Sequence, residues 1–318
     1  MIKLGIIGCG NIASFHLPVM RKAGFKINAL SGRPGGFETV KNFGKENNVN
    51  SCYENSFELI KSNCWDALLI TCPVKNTIEY IEAAAKFNKP ILSEKPVAED
   101  YKILKPFIKY KNIRVAFNRR FYNNVAEAKK FIKRNGVCLI KVSIPESEGK
   151  EKYQFPKRLP QNSYTNSTHI FDLINFLAGL VSWDFVSKIK KNNKFTSISA
   201  IGKSTEKHTI MLDNTYNSSE NFSINIISSR KRFHLSPIEI GRYYEGMKIN
   251  EPTKQVPIRT YMPHMKKEFI ENKNSLYKPG FLEQSMDFMR FCKGKGSISA
   301  DINDTYKALK LVQSLVDF

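Results

Sequence analysis

The sequence predicts an α/β protein with a doubly wound parallel sheet at its N-terminus, followed by an α+β domain with a large, mostly antiparallel sheet. First, an apolar run leads directly into Gly8-x-Gly10-x-x-Ala13. Second, strand and helix patterns alternate up to residue 117, which is typical of a parallel sheet covered on both faces. Third, residues 195–244 contain short runs with period-two alternation between polar turns. We therefore predict two domains, at residues 1–119 and 120–318.

The glycine-rich segment has the composition of a turn that binds a dinucleotide. Gly8 permits a tight turn, Gly10 lets the backbone approach a pyrophosphate, and Ala13 allows the following helix to pack on the sheet. The N-terminus of that helix, predicted from Ile12 to Ala23, offers N–H groups and a positive dipole to phosphates. The segment predicts a Rossmann-type nucleotide site. The alternative is a purely structural turn.

The remaining elements of the first domain follow from hydrophobic periodicity and turn residues. We predict strands at 26–31, 49–53, 66–71, 90–93 and 113–117, and helices at 38–47, 56–62 and 76–87.

In the second domain, the predicted strands and helices no longer alternate regularly. We predict a helix at 124–134, a strand at 137–144, a long loop at 145–164 and a helix at 166–178. The alternating strands at 195–244 are followed by a loop-rich segment at 247–277 and by two closing helices, at 280–293 and 302–317.

Composition narrows the class of protein. No apolar run of about 18 residues and no signal-peptide pattern is visible, so we expect a cytoplasmic protein without membrane association. The net charge of +21 is spread over both halves without a basic tail, which argues against nucleic acid as a partner. It indicates either a compositional bias or an anionic substrate. The six cysteines form no Cys-x-x-Cys pair, so we expect reduced thiols and no metal site.

The tip of the second strand selects the cofactor in folds of this type, because a carboxylate there accepts from the ribose 2′-hydroxyl. Here the tip is Ser31-Gly32-Arg33, with no acid. A hydroxyl and a guanidinium can bind a 2′-phosphate, so the sequence favours NADP, with NAD as the alternative. Arg33 could equally be a solvated loop residue.

Two further segments carry groups suited to proton transfer. Glu94-Lys95-Pro96 follows a buried strand at the carboxyl edge of the predicted sheet, where ligands of open α/β sheets bind. The Lys95 ammonium can bind a substrate hydroxyl or help to remove its proton. His169 and Asp172 lie three residues apart near the start of a predicted helix and share a face. We expect His169 to act at the substrate, although a single histidine on a helix is also compatible with a structural role.

Together these segments resemble the glucose-fructose oxidoreductase, inositol dehydrogenase and rhizopine-catabolism (Gfo/Idh/MocA) family. The resemblance extends over the whole chain, through Gly8-x-Gly10-x-x-Ala13, Thr71-Cys-Pro73, Glu94-Lys95-Pro96, Asn118-Arg119-Arg120-Phe121, His169-x-x-Asp172 and Asp301-Ile-Asn-Asp304. It implies a Rossmann domain that carries NAD(P), a second domain whose sheet often serves oligomerisation, and reversible hydride transfer at a hydroxyl-bearing carbon. It also implies that Lys95 contacts the substrate near the nicotinamide and that His169 binds or deprotonates the reacting hydroxyl.

The chain departs from the family pattern at the site. Dehydrogenases of the family commonly carry an Asp four residues before the histidine, where this chain has Thr165. A histidine often found after Thr-x-Pro is also absent, and Thr77 occupies that region. Because threonine cannot act as a carboxylate base, either Lys95 and His169 suffice for proton transfer, with a contribution from Tyr164, or dehydrogenase activity is altered or lost.

The leading hypothesis is an NAD(P)-dependent oxidoreductase for a sugar, cyclitol, sugar phosphate or nucleotide-linked sugar, in the setting of surface-glycan biosynthesis and as a homo-oligomer. The alternatives are an NADP(H)-binding sensor or scaffold and a lyase or glycosidase that uses transient oxidation. Cations that could receive an anionic substrate are Arg119, Arg120, Lys157 and Arg158, with a solvated role as the alternative for each. The predicted catalytic residues are Lys95 and His169, with Arg120, Tyr164, Thr165 and His169 at the substrate. The predicted cofactor-binding residues are Gly8, Gly10, Asn11, Ile12, Ser31, Arg33, Thr71, Pro73, Glu94, Lys95 and Asn118.

Overall fold

A computed structural model of the chain describes residues 1–147, 159–271 and 275–318. It forms two compact units. The first comprises Met1–Phe121 with the described parts of Lys150–Asp172 and Asn274–Gln313, and the second comprises the described parts of Tyr122–Gly149 and Leu173–Lys273 with Ser314–Phe318.

The first unit contains a six-stranded sheet in which every neighbouring pair is parallel, in the order β3-β2-β1-β4-β5-β6. The strands are β1 Lys3–Ile7, β2 Lys26–Ser31, β3 Cys52–Tyr53, β4 Ala67–Ile70, β5 Ile91–Ser93 and β6 Ile113–Val115. The intervening helices are α1 Asn11–Lys22, α2 Phe37–Glu46, α3 Ser56–Ser62, α4 Val74–Ala85 and α5 Tyr101–Leu104. The order runs outward from β1 in both directions, so the sheet is doubly wound, as the sequence predicted.

The core of this unit explains why its strands were recognisable. Residues of β1 and β4 such as Ile6 and Leu69 are completely buried, because helices cover both faces of the sheet. Leu17 and Met20 of α1 pack into the same apolar cluster, together with Phe288 from a helix near the C-terminus. A strand buried on both faces is apolar along its whole length, and a helix packed on a sheet is apolar on one face only. Both patterns can be read from the sequence.

The second unit contains an eight-stranded sheet in the order β14-β13-β12-β11-β7-β10-β9-β8. Its strands are β7 Leu139–Glu146, β8 Val181–Lys191, β9 Lys194–Ser204, β10 Thr209–Tyr216, β11 Ser223–Ser228, β12 Lys231–Leu235, β13 Ile240–Asn250 and β14 Thr260–Ile270. Strands β7 and β10 pair in parallel, and the other neighbours pair antiparallel. The predicted mostly antiparallel sheet is therefore confirmed.

The remaining helices are α6 Asn123–Asn135, α7 Gln161–Thr165, α8 Thr168–Ala178, α9 Phe281–Cys292 and α10 Ile302–Asp317. The two closing helices agree with the prediction within two residues. None of the helices in the described part of the chain has the length and apolar character needed to cross a bilayer.

Three predictions for the second half were wrong. Residues 181–191 form a strand that we did not predict, and the segment expected to be loop-rich contains the end of β13 and all of β14. The helix expected at 166–178 is present as α8, which begins two residues later, at Thr168. The expected loop at 145–164 begins within β7 and ends within α7, while residues 148–158 lie outside the described residues.

Candidate active site

The turn after β1 is built from backbone. Gly8 has φ of 98°, and a Cβ atom added to it would lie 2.8 Å from the Thr71 carbonyl carbon. Its N–H donates to the Ser31 carbonyl oxygen at 2.8 Å. The Thr71 hydroxyl contributes to the same junction, since it lies 2.7 Å from the Gly8 carbonyl oxygen. Only glycine satisfies both the left-handed backbone and this close approach.

Gly10 has a different role in the same turn. Its φ of −94° is accessible to any residue, and a Cβ atom added there would meet nothing within 4 Å. The missing side chain therefore leaves space rather than relieving a clash. Gly10 also precedes α1 without providing a side-chain cap, so the first N–H groups of the helix remain available to an anion.

A cavity of about 860 Å³ opens at this turn. Its lining includes seven predicted cofactor residues, namely Gly8, Gly10, Asn11, Ile12, Arg33, Thr71 and Pro73. It also includes residues that we did not predict, among them Thr39, Ser56, Lys75, Asn76 and Tyr80. Lys75 and Asn76 closely follow the predicted Thr71-Cys-Pro73 segment, whereas the fold brings Thr39, Ser56 and Tyr80 to the cavity from other segments.

The lining suits a phosphate-bearing nucleotide. The turn supplies backbone N–H groups, Gly10 supplies empty space, and Arg33 and Lys75 supply positive charge. None of the described residues that line this cavity is acidic. The donor set therefore fits a dinucleotide cofactor.

Ser31 does not reach the cavity. It is completely buried, and its hydroxyl donates to the Ser56 hydroxyl at 3.1 Å. The Ser56 hydroxyl in turn donates to the Gly32 carbonyl oxygen at 3.0 Å. At the tip of β2, only Arg33 of the two predicted side chains faces the cavity.

Two thiols also line the cavity. Burial raises the pKa of Cys9 to about 12 and that of Cys72 to about 11. The Cys9 thiol donates to the Ser31 carbonyl oxygen, and the Cys72 sulfur lies 3.5 Å from the Thr77 hydroxyl. Both thiols are therefore protonated at neutral pH.

The Glu94-Lys95-Pro96 segment follows β5 at the same edge of the sheet, and its Lys95–Pro96 peptide bond is cis. One Glu94 carboxylate oxygen lies 2.7 Å from Nε2 of His16 in α1. The other accepts from the Lys95 N–H at 3.2 Å. His16 is only 1% exposed, and its ring lies 4.7 Å from that of Phe281. Glu94 is thus held beside α1 as a support for the Lys95 backbone.

The Lys95 ammonium points toward the segment that bears His169. Its Nζ donates to the main-chain carbonyl oxygen of Thr165 at 2.9 Å. The Thr168 hydroxyl donates to the same oxygen at 2.9 Å. At the position where the resemblance leads us to expect an aspartate, Thr165 therefore provides a backbone oxygen to the lysine.

His169 is buried close to these cations. Its Nδ1 has no hydrogen-bond partner within the part of the chain that the structure describes, and its ring meets Phe117 edge-on at 5.6 Å. Burial, followed by the charges of Lys95 and Arg119, holds the pKa of His169 well below its ordinary value. The imidazole is therefore neutral at physiological pH, which is the state that can accept a proton. Tyr164, also predicted at the substrate, is completely buried in α7.

Arg120 belongs to an ion network. Its guanidinium donates to both carboxylate oxygens of Asp172, at 2.8 and 2.6 Å, and to Asp304 at 3.1 Å. Although burial opposes its charge, these carboxylates raise the pKa of Arg120. Arg120 thus joins the start of α8 to α10, and a substrate role for it has no support in this geometry.

Asn118, predicted at the cofactor, is not among the residues that line the cavity. The Asn118 side-chain amide donates to the Pro279 carbonyl oxygen at 2.8 Å. Lys157 and Arg158 lie outside the described residues. The described side chains contain no group of three or more His, Cys, Asp or Glu arranged to hold a metal ion.

Sheet order, glycine turn and cavity together define a fold of the Rossmann class with a cavity whose lining suits a nucleotide. Residues 2–118 match the model of the GFO_IDH_MocA oxidoreductase family, described as an NAD-binding Rossmann fold. The matched region is the one that carries the Gly8-x-Gly10-x-x-Ala13 and Glu94-Lys95-Pro96 motifs, and the match agrees with the resemblance drawn from them.

Solved structures with the same fold cover nearly the whole chain. An oxidoreductase from Thermotoga maritima is 18% identical with a TM-score of 0.75, and the match covers 99% of this chain and 95% of that one. An oxidoreductase from Agrobacterium radiobacter, solved with NAD+, L-tartaric acid and magnesium, is 16% identical with a TM-score of 0.76 and coverages of 98% and 94%. A levoglucosan dehydrogenase in complex with NADH is 17% identical with a TM-score of 0.76 and coverages of 99% and 96%. No curated protein sequence matches this chain.

Proposed function

We propose that this protein is an NAD(P)-dependent oxidoreductase that acts on a hydroxyl-bearing carbon of a sugar-like substrate. The observation that carries the proposal is the placement of Lys95 and a neutral His169 in the same unit as the glycine-turn cavity. A bound nicotinamide would supply the hydride acceptor or donor. The cavity residues of the glycine turn and of the β4–α4 junction would hold the cofactor's phosphates and adenosine.

Lys95 and His169 would handle the proton. The Lys95 ammonium can donate a hydrogen bond to a substrate oxygen and stabilise negative charge on it. Burial and the neighbouring cations keep the His169 imidazole neutral, so its Nδ1, which has no partner among the described residues, can accept a hydrogen bond from the substrate hydroxyl and orient it for loss of the proton. Arg119, whose charge acts on His169, adds to the positive field at this place. Such a field suits a substrate with an anionic group, for example a sugar phosphate or a nucleotide-linked sugar.

We further propose NADP as the preferred cofactor, since Arg33 lies on the cavity wall where a 2′-phosphate would need a cation. The sugar-like substrate class is supported by the likeness in fold to levoglucosan dehydrogenase. The role in surface-glycan biosynthesis, the homo-oligomeric state, the cytoplasmic location and the division at residue 119 stay predictions.

A second function is favoured by one observation. Lys95 binds the Thr165 carbonyl oxygen where dehydrogenases of the family commonly have a carboxylate side chain. A protein that binds NADP(H) as a sensor or scaffold would tolerate this replacement, because cofactor binding needs no proton acceptor there.

The two functions are separated by turnover. NADPH and NADH fluorescence should report binding to the purified protein, and a panel of sugars, cyclitols and sugar phosphates should include a substrate that changes nicotinamide absorbance. Lys95→Ala should abolish that turnover and leave cofactor affinity within severalfold, because Lys95 lies outside the lining of the cofactor cavity. Lys102→Ala, which removes an exposed lysine from α5, is the matched control.

Wild-type turnover by Lys95→Ala would contradict the catalytic role. Tight binding of NADPH without oxidation of any compound in the panel would favour the sensor. Product formation without net change in nicotinamide absorbance would instead indicate a lyase or glycosidase that uses transient oxidation.

A further inference from the structure

A second cavity lies in the second unit, where α6 packs against β12, β13 and β14. Its volume is about 300 Å³. None of its lining residues takes part in the function proposed above. This volume is at the lower end of the range that small-molecule sites occupy.

Four aromatic rings form one wall of this cavity. Phe131 of α6 lies 6.0 Å from Phe233 and 6.0 Å from Tyr243, and Phe233 lies 5.7 Å from Phe269. Phe131 and Phe233 are buried, whereas Tyr243 and Phe269 are partly exposed. The planes of the contacting rings are inclined to one another by 41–62°, so the lining offers both ring faces and ring edges to an aromatic group.

Three cations from three different elements line the same cavity: Arg134 of α6, Lys231 of β12 and Lys267 of β14. Lys267 Nζ lies 4.6 Å above the Phe269 ring, and Lys231 Nζ lies 3.8 Å from the Glu245 carboxylate. Arg134 has no carboxylate partner among the residues that the structure describes. The Arg134 guanidinium is thus available to bind an anion through two parallel hydrogen bonds.

The acidic group at this cavity is already neutralised. Glu127 lines it, but its carboxylate lies 2.7 Å from Lys130 Nζ. The balance of charge at the opening is therefore positive. An aromatic lining combined with a guanidinium that has no carboxylate partner among the described residues is complementary to an aromatic molecule with one negative group.

We propose that this cavity is a binding site for a small aromatic anion, such as an aryl carboxylate, sulfonate or phosphate. The rings would stack on or abut the aryl group, and Arg134 would bind the anion, with Lys267 and Lys231 adding to the attraction. The site is independent of the cofactor cavity in sequence and in lining residues.

The test is a calorimetric titration of the full-length protein with naphthalene-2-sulfonate, alongside its neutral analogue naphthalene-2-sulfonamide. We expect one sulfonate per chain and at least fivefold weaker binding of the sulfonamide, because the neutral group forgoes the charge-assisted hydrogen bonds. Arg134→Gln should weaken sulfonate binding about tenfold. Lys133→Gln, which removes the neighbouring exposed charge outside the cavity, is the matched control and should change the affinity less than twofold.

Two further titrations test whether the sulfonate binds in this cavity. Phe269→Leu keeps an apolar side chain at a partly exposed position and should weaken both compounds severalfold, with folding verified by circular dichroism. A repeat titration with saturating NADPH should give the same affinity, whereas a loss would place the sulfonate in the cofactor cavity and overturn the proposal. Absence of binding, equal binding of sulfonate and sulfonamide, or equal losses in Arg134→Gln and Lys133→Gln would also overturn it.

Discussion

Two loops at the carboxyl edge of the first sheet contribute to the candidate site by different means. The loop after β1 is shaped by backbone, since Gly8 touches the main chain of Thr71 and Gly10 leaves a space. The loop after β5 is shaped by side chains from distant segments, since Glu94 is held by His16 and Lys95 reaches Thr165. A local pattern can therefore specify the cofactor turn, whereas the position of Lys95 depends on the tertiary fold.

We expect the largest loss of stability from a substitution in the loop after β1, which is shaped by backbone contacts. Gly8→Ala forces a left-handed alanine and a contact with the Thr71 main chain, so we expect a loss of about 2–4 kcal/mol in the free energy of unfolding. Denaturant titration measures this loss.

Gly10→Ala is the control in the same turn. Because its Cβ meets no protein atom, stability should change by no more than about 1 kcal/mol. NADPH affinity should fall at least tenfold, since the methyl group occupies the space left for the phosphates. If both variants lost stability equally, Gly8 and Gly10 would not have the distinct roles described here.

The next largest effect is expected in the loop after β5, which is held by side-chain contacts. His16→Leu removes the Nε2 partner of Glu94 and should cost about 1–3 kcal/mol in stability. It should also lower turnover more than it lowers cofactor affinity, because Glu94 supports Lys95. His16→Gln retains a side-chain donor and should restore most of the turnover at unchanged NADPH affinity. A loss confined to cofactor binding would count against this support.

The next effect is the pH dependence of stability, which tests whether the buried His169 imidazole is neutral. Since the folded state holds the pKa of His169 well below 6.5, the unfolded chain binds the proton first. The free energy of unfolding should therefore be largest above pH 6.5 and fall as the pH decreases. His169→Gln should reduce this slope, and His234, whose pKa burial also lowers, should supply part of the remainder.

Urea titrations at several pH values between 5 and 8 measure the slope. His264→Gln, at an exposed histidine of β14, is the matched control and should leave it unchanged. An unchanged slope in His169→Gln would contradict the neutral imidazole.

The smallest effect concerns cofactor choice. Arg33 is exposed, so its contribution is screened, and Arg33→Ala should weaken NADPH binding about five- to tenfold while NADH binding changes less than twofold. Fluorescence titration at two salt concentrations measures both. Equal losses for the two cofactors would remove the argument for NADP.

The first sheet could be predicted from sequence because its strands are buried on both faces. Apolar runs such as Ala67–Ile70 leave a clear signal, and Gly8 and Gly10 mark the junction with α1. Residue Ser31 shows the limit of this reasoning. Its position at the tip of β2 is correct, but the direction of its hydroxyl depends on Ser56, which comes from a different helix.

The second sheet was harder to predict because some of its strands are mostly exposed. Strand β8 carries several lysines and little regular alternation, and β14 is exposed along nearly its whole length. Pro263 within β14 also argues against a strand, but β14 lies at the edge of the sheet, where proline is tolerated. Neither strand has the buried face from which a period-two pattern arises.

At the site, the sequence identified Lys95 and His169 but not their supports. His16 lies on the buried face of α1 with Ala13, Leu17 and Met20, and a polar residue among apolar ones was a signal that could have been used. The partners of Arg120 could not be found in this way, because Asp172 and Asp304 are 52 and 184 residues away in sequence. Its charge led us to predict that Arg120 binds the substrate. In the fold, its guanidinium instead donates hydrogen bonds to Asp172 and Asp304.

The two thiols in the cofactor cavity also bear on how the protein withstands oxidants. A cysteine is oxidised or alkylated mainly as its thiolate, and burial keeps both Cys9 and Cys72 protonated. Mild peroxide or iodoacetamide at neutral pH should therefore leave NADPH binding intact. A nucleotide pocket lined with sulfur would thus stay chemically inert under conditions that inactivate enzymes with reactive thiols.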